Sequence, residues 1–264
     1  MISWIIFYEI DLVFLAKIYP LDQISFYSLS LIILGLFRTF AGVLFSNYNV
    51  KINNLIGRND NVGFVNFTSI YLYFTAPIIL YITFSYILLS DKFIHLWVGE
   101  NYLESSTISI FLVIGYSLSF FSYITSSLLL SINRVKEIMV ISILQPILFW
   151  IIVFYLHKDH GIYIVALFKC IVLLLTDLLY LYYFINITKI KLIEILNKIF
   201  SPIIFIFPIL YLSINFISNI SIFNYNTKFI IIIIVSITAI LILISCFIHY
   251  KISKVNLNFI KLFK

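Results

Sequence analysis

Residues 162–185 read IYIVALFKCIVLLLTDLLYLYYFI, and Lys169 and Asp177 are the only charged members of this run. A helix needs about 20 consecutive, mainly apolar residues to cross the hydrocarbon core of a bilayer. The stretch therefore predicts a membrane-spanning α-helix. Runs of the same kind recur along the chain, so this segment decides the class of fold.

Composition supports the same prediction over all 264 residues. Hydrophobic residues make up 63% and charged residues 11% of the chain, against about 45–50% and about 25% in soluble domains. The net charge of +6 does not indicate a nucleic-acid binder, because the cations are scattered between apolar runs. A secreted disulfide scaffold is excluded as well, since the only cysteines, Cys170 and Cys246, lie inside apolar runs.

Eight membrane helices are predicted, which makes the fold class an all-α integral membrane protein. They cover residues 2–18, 22–46, 67–90, 107–131, 138–156, 162–185, 203–219 and 229–248. A β-barrel would need short alternating strands, and these runs are too long and too uniformly apolar. Two polar loops are predicted over 47–66, with a turn core at 57–61, and over 91–106.

The distribution of Lys and Arg in the predicted loops sets the orientation. Lys17, Lys92, Lys158 and Lys228 lie on one side, and eleven other cations lie on the opposite side. Because cytoplasmic loops carry the excess of positive charge, both termini are predicted to be cytoplasmic. Residues 186–202 are predicted to form an amphipathic connector at the membrane surface or an ordinary solvated one. Residues 249–264 are predicted to form a basic cytoplasmic tail.

Charges inside the predicted spans are the informative residues: Glu9, Asp11, Arg38, Lys169 and Asp177. Each costs about 2.5–3.5 kcal/mol at a helix centre on insertion scales, so each needs a partner or water. At about 1.5 Å per residue, Asp11 and Lys169 lie about 12 and 10 Å below the outer ends of their spans. Arg38 and Asp177 lie roughly 24 and 22 Å deep. Two opposite-charge pairs are therefore predicted as one alternative, and a water-filled substrate cavity as the other.

Motifs of covalent chemistry are absent from the sequence. It has no phosphate-binding glycine loop, no zinc-ligand spacing and no nucleophile elbow. We therefore expect a transporter, with no enzymatic activity and no cofactor.

The order of several short motifs resembles a known family. They are Glu9-Ile10-Asp11-Leu12, Phe26-Tyr27-Ser28-Leu29-Ser30, Gly57-Arg58-Asn59-Asp60, Leu96-Trp97-Val98-Gly99-Glu100-Asn101-Tyr102, and Leu129-Leu130-Ser131-Ile132-Asn133 followed by Arg134-Val135-Lys136. This pattern is similar to the C-terminal half of the polysaccharide transporters that flip lipid-linked oligosaccharides. Those proteins are O-antigen and capsule-unit flippases of the multidrug/oligosaccharidyl-lipid/polysaccharide exporter superfamily.

The resemblance implies a domain organisation. Residues 1–185 would form one six-helix transporter lobe, and residues 203–248 two additional helices, in the bacterial inner membrane. The N-terminal lobe of the family has no counterpart in this chain. A separately encoded N-terminal lobe or a second copy is therefore an expected partner, beside membrane lipid and the lipid-linked substrate.

The resemblance also implies a central cavity that binds a diphosphate-linked sugar and is lined by the first two helices. Arg38 and Lys17 are the cations of those helices, and Glu9 and Asp11 are further candidates for the cavity. Lys169 and Asp177 remain candidates for intramembrane pairing.

Other functions stay open at this point. A cation-coupled multidrug exporter of the same fold would use Glu9 or Asp11 as its proton or sodium site. An O-antigen polymerase would need a large periplasmic loop, and no predicted loop exceeds the 20 residues of 47–66. An inert fragment of a broken gene is the last alternative.

Overall fold

The computed structural model describes residues 2–156 and 161–193, together with Ile195, Pro208, Tyr211 and Ile240. These residues form α-helices joined by short turns, and no β-strand occurs in this part of the chain. The predicted all-α class is thereby confirmed. The predicted helices over 203–219 and 229–248 and the tail over 249–264 fall outside the described residues, except for isolated positions.

Eight helices follow one another in the described ranges. They are α1 (Ile2–Tyr8), α2 (Ile10–Leu15), α3 (Leu21–Gly57), α4 (Asn61–Val98), α5 (Glu104–Leu118), α6 (Phe120–Ser131), α7 (Val135–Leu156) and α8 (Tyr163–Thr188), with a 3₁₀ turn at Glu100–Tyr102 between α4 and α5. Five helical segments are long and apolar enough to cross a membrane: α3, α4, the pair α5–α6, α7 and α8. The described residues thus support a membrane-embedded protein with five such segments.

The chain packs as two units. The described residues of 1–59 and 90–189 belong to the first unit, and the described residues of 60–89 and 190–264 belong to the second. Within the second unit, α4 contains Pro77, which cannot donate a helix hydrogen bond. The hydroxyls of Thr75 and Thr83 donate to the carbonyls of Tyr71 and Ile79 one turn earlier. These local bonds satisfy polar side chains inside an apolar helix.

Two helices extend well beyond their predicted ends. α3 continues to Gly57 and α4 continues to Val98, so the predicted loops over 47–66 and 91–106 are wrong except near residues 58–60 and 99–103. Hydropathy marks where a chain leaves the bilayer, but a helix ends where its backbone is capped. Here α3 ends at the C-cap Arg58, which is followed by Asn59 with φ of 54°. α4 is followed by Gly99 with φ of 102°, and both positive φ values take the chain out of the helical path.

Two predicted spans are interrupted. The run over 2–18 forms α1 and α2, with Glu9 between them, and ends as a helix at Leu15. The run over 107–131 forms α5 and α6, which are separated at Ser119 with φ of −84° and ψ of 29°. We call these two positions the Glu9 break and the Ser119 break. Neither could be predicted from hydropathy, because apolar residues continue on both sides of each.

Close packing in the first unit depends on Gly115 of α5. A Cβ atom at this position would lie 2.6 Å from the Cα atom of Cys170 on α8. Only glycine therefore permits this approach, as is common where membrane helices pack through small residues.

A regular row of contacts joins α3 to α6. The rings of Phe45 and Tyr123 stack with centroids 5.1 Å apart. One turn further along both helices, the Ser127 hydroxyl donates to Asn49 Oδ1. After another turn, the Ser131 hydroxyl donates to Asn53 Oδ1. The constant separation shows that the two helices run in parallel register.

We predict that Gly115→Ala destabilises the protein, because the added methyl group must displace the backbone of α8. The expected loss is about 1–3 kcal/mol, measured as a lower melting temperature in detergent by size-exclusion chromatography. The control is Gly42→Ala on α3, where a Cβ atom meets nothing within 4 Å. That variant should melt at or above the wild-type temperature, since alanine favours a helix interior. Equal melting of the two variants would contradict the close approach of α5 and α8.

We also predict that single cysteines at Glu100 and Lys136 label from opposite sides of the membrane. The segment Glu104–Ser131 between them has 28 residues, about 42 Å of helix against about 30 Å of hydrocarbon core. An impermeant maleimide should label one position in intact spheroplasts and the other only in inverted vesicles. Labelling of both positions from one side would show that this segment does not span.

Candidate functional site

A cavity of about 610 Å³ lies within the first unit. Its lining residues come from α1, α3, α5, α6, α7, α8 and the Ser119 break: Tyr8, Gly35, Arg38, Thr39, Tyr116, Ser119, Ser122, Tyr123, Ser126, Gln145, Leu173, Thr176 and Tyr180. The volume is within the range of about 300–1,000 Å³ that is typical of small-molecule sites.

The lining is rich in hydroxyl groups and carries one charge. All the described lining residues except Gly35 and Leu173 have a polar side chain, and Arg38 is the one that is ionised. The serine and threonine hydroxyls of the lining donate to backbone carbonyls three or four residues earlier, but each hydroxyl oxygen can also accept a hydrogen bond from water or a ligand. This cavity is therefore suited to water or a polar ligand, and the guanidinium favours an anionic group.

Arg38 is positioned by residues at the Glu9 break. Its Nη1 atom lies 3.9 Å from Oε1 of Glu9, and its Cζ atom lies 4.5 Å from the centroid of the Tyr8 ring. The Arg38 side chain is 23% exposed and that of Glu9 is 55% exposed. The ion pair is therefore partly solvated and weak, while the aromatic ring holds the guanidinium by a cation–π contact.

A carboxylate from α8 binds the backbone of the chain next to the Ser119 break. Asp177 Oδ1 accepts a hydrogen bond of 2.7 Å from the backbone N–H of Ser122, in the first turn of α6. The Ser119 hydroxyl donates to the Gly115 carbonyl on the other side of the break. Asp177 thus caps a helix to which it does not belong, where the partial positive charge of the helix N-terminus favours an anion.

The predicted pair of Arg38 and Asp177 does not form. Arg38 instead lies beside Glu9 and Tyr8, and Asp177 binds the backbone of α6. Similar depth in the membrane is only one coordinate, and the direction in which each side chain leaves its helix is another. The depth estimate contained no information on that direction.

The second pair matched by depth is formed. Lys169 Nζ lies 2.6 Å from Asp11 Oδ2, and both side chains are fully buried. The Tyr27 hydroxyl donates to the same carboxylate at 2.5 Å, and the backbone N–H of Leu12 donates to its other oxygen at 2.9 Å. This cluster connects α2, α3 and α8. Asp11 and Lys169 do not line the cavity.

The other sequence candidates lie at different places. Glu9 is next to the cavity through its contact with Arg38. Lys17 lies in the turn after α2, where it is exposed and does not line the cavity. Of the four candidates Arg38, Glu9, Asp11 and Lys17, Arg38 is therefore the one that lines this cavity.

Sequence reasoning missed the hydroxyl-bearing wall. Ser119, Ser122 and Ser126 are spaced by three and four residues, so they share one side of the helical path and all line the cavity. That spacing within a long apolar run was a usable signal. Tyr8, Gln145 and Tyr180 had no such signal, because single polar residues on separate helices are brought together only by folding.

We predict that removal of one partner of the Asp11–Lys169 pair destabilises the protein. Lys169→Met or Asp11→Asn leaves the other charge buried without its counter-ion, at a cost of about 3–5 kcal/mol. The double variant Asp11→Asn, Lys169→Met should be more stable than either single variant, since no unpaired charge remains and Asn still accepts from Tyr27. Thermal melting in detergent measures all three.

The matched control is Lys136→Met, since Lys136 is exposed in the first turn of α7. It should melt as the wild type does. A double variant that melts below both single variants would indicate that the ion pair does not determine their loss of stability.

Comparison with known protein families, with curated proteins and with solved structures finds no match for this chain. The resemblance to polysaccharide flippases therefore stays a prediction from short motifs. The described residues establish an all-helical, membrane-type chain whose first unit contains a hydroxyl-lined cavity with one guanidinium.

Proposed function

We propose that this protein moves the polar headgroup of a lipid-linked oligosaccharide, such as an O-antigen or capsule repeat unit, across the bacterial inner membrane. The observation that carries the proposal is the cavity of about 610 Å³, with its hydroxyl-rich wall and Arg38 as its charge. The sequence motifs that resemble the flippase family give independent support.

The chemistry of the wall suits a sugar linked to phosphate. Sugar hydroxyls and phosphate oxygens lose water when they enter hydrocarbon, which is costly unless the protein replaces those hydrogen bonds. Serine, threonine and tyrosine hydroxyls both donate and accept, as sugar hydroxyls do. The planar fork of a guanidinium matches two phosphate oxygens and keeps its charge at any physiological pH.

Transport requires that the cavity open to each side in turn. Binding sites of transporters are often bordered by discontinuous helices at the midplane of the membrane, and alternating access moves one bundle against another. The Glu9 and Ser119 breaks contribute Tyr8 and Ser119 to the cavity wall. In our proposal, a separately encoded lobe or a second copy supplies the opposing bundle, and the lipid tail remains in the bilayer.

The alternative of a cation-coupled multidrug exporter of the same fold is less well supported where its substrates are cationic. Among the described residues that line the cavity, the ionised one is a cation, which would repel a cationic substrate. The carboxylate of Asp11, proposed above as an ion site for such an exporter, is bound by Lys169 and Tyr27.

We predict that Arg38→Gln weakens binding of an anionic polyprenyl lipid while the protein still folds. Loss of a charge-assisted contact to phosphate should lower the affinity for a polyprenyl diphosphate by at least about tenfold. The measurement is lipid binding to the purified chain in detergent by native mass spectrometry, with uncharged polyprenol as the reference ligand.

Lys136→Gln is the matched control, because it removes an exposed cation that does not line the cavity. It should bind as the wild type does. Wild-type affinity of Arg38→Gln, or equal binding of polyprenol and its diphosphate by the wild type, would contradict the proposed function. Binding of the diphosphate by Arg38→Lys at the wild-type level would indicate that positive charge alone suffices. Binding intermediate between the wild type and Arg38→Gln would indicate that the planar geometry of the guanidinium also contributes.

A further inference from the structure

Asp177 is a carboxylate within the membrane-spanning segment Tyr163–Thr188, and only 7% of the residue is exposed. Lys169, two turns earlier on the same helix, is bound by Asp11. In the described part of the chain, Asp177 forms no ion pair within 4 Å. Its carboxylate accepts a hydrogen bond from the Ser122 backbone N–H. An ionised carboxylate at such a place is costly, and a buried ionisable group inside a membrane span is by default a functional candidate.

The surroundings of Asp177 carry little positive charge. α8 packs against α5, α6 and α7. Three titratable side chains of these helices line the neighbouring cavity: Tyr116 of α5, Tyr123 of α6 and Tyr180 of α8. The polar side chain that α7 contributes is the neutral Gln145. The guanidinium of Arg38 reaches the same cavity from α3 but is already beside Glu9. The anion is therefore held mainly by one backbone N–H and the N-terminus of α6.

Asp177 lies next to the wall of the cavity without lining it. Thr176, which precedes it on α8, and Ser122, whose backbone N–H binds its carboxylate, both line the cavity. In the proposal below, a proton therefore reaches the carboxylate from the cavity by passing these two residues.

We propose that Asp177 is a proton-binding site whose two charge states control the start of α6. A hydronium ion in the cavity transfers its proton to a carboxylate oxygen, which leaves water and a neutral carboxylic acid. The charge-assisted hydrogen bond from Ser122 N–H then becomes a weaker neutral one, and the attraction to the α6 N-terminus is lost. The first turn of α6, which forms part of the cavity wall, is thereby loosened at the Ser119 break.

Proton binding by Asp177 does not depend on the identity of the substrate. Its use to drive or gate transport rests on the proposed function. The two are tested separately, because proton binding is measured on the chain without any lipid ligand.

The first experiment is pH-difference infrared spectroscopy of the full chain in nanodiscs. A carbonyl-stretch band of a protonated carboxylic acid should appear as the pH is lowered from about 9 to about 6, a range in which solvent-exposed carboxylates remain ionised. The band should shift when aspartate is labelled with ¹³C at the carboxyl group. Asp177→Asn should remove the band. Asp177→Glu should retain a band at a changed frequency, but without the isotope shift, because only aspartate carries the label. Asp22→Asn should leave the band unchanged. Asp22 is the control because it is exposed at the start of α3.

The second experiment is hydrogen–deuterium exchange at a single pH, where Asp177→Asn imitates the neutral state. Peptides over 117–126 should exchange at least about threefold faster than in the wild type, and peptides over 28–40 of α3 should not change. In the infrared experiment, the proposal is overturned if the wild type shows no titrating, isotope-sensitive band or if the band persists in Asp177→Asn. In the exchange experiment, it is overturned if exchange over 117–126 is the same in both proteins. Should Asp177→Asn fail to fold, the labelled wild type and Asp177→Glu decide the question by themselves.

Discussion

The buried ion pair between Lys169 and Asp11 is the interaction on which the arrangement of the first unit depends. Each charge alone would be unstable in an apolar interior, and together they fix the position of α2 against α8. Tyr27 extends the same cluster to α3 through its hydroxyl. Three helices that would otherwise meet only through apolar side chains are thus brought together at one defined point.

This cluster also supports the Glu9 break. Asp11 lies in the first turn of α2, so its fixed position determines where α2 begins relative to α8. Tyr8 and Glu9, on the other side of the break, then face Arg38 on α3. The ring of Phe7, at 5.2 Å from Lys169 Nζ, packs against the same ammonium group. A structural pair therefore orients the residues that hold the cation of the cavity, although neither of its members touches the cavity.

The charged side chains discussed for the first unit differ in how far they are exposed to solvent. Asp11 and Lys169 are fully buried and compensate each other at hydrogen-bonding distance, which suits a permanent structural role. Arg38 and Glu9 are partly exposed and 3.9 Å apart, so water or a ligand can compete for the guanidinium. Asp177 stands between these cases, because it is buried but held by a backbone N–H and a helix terminus. The same residue types thus differ in role because their surroundings differ.

The amino-acid sequence alone determined the all-helical membrane class, the approximate places of the described helices, and the fact that five charged residues need partners or water. Apolar length and the cost of buried charge are sufficient for these conclusions. Only the tertiary structure decided that α3 and α4 continue to Gly57 and Val98, because backbone capping and not hydropathy ends a helix. It alone placed the breaks at Glu9 and Ser119, and it paired Arg38 with Glu9 while Asp177 capped α6. A sequence gives the height of a residue in a membrane helix, but the partner it meets depends on how neighbouring helices are rotated about their axes.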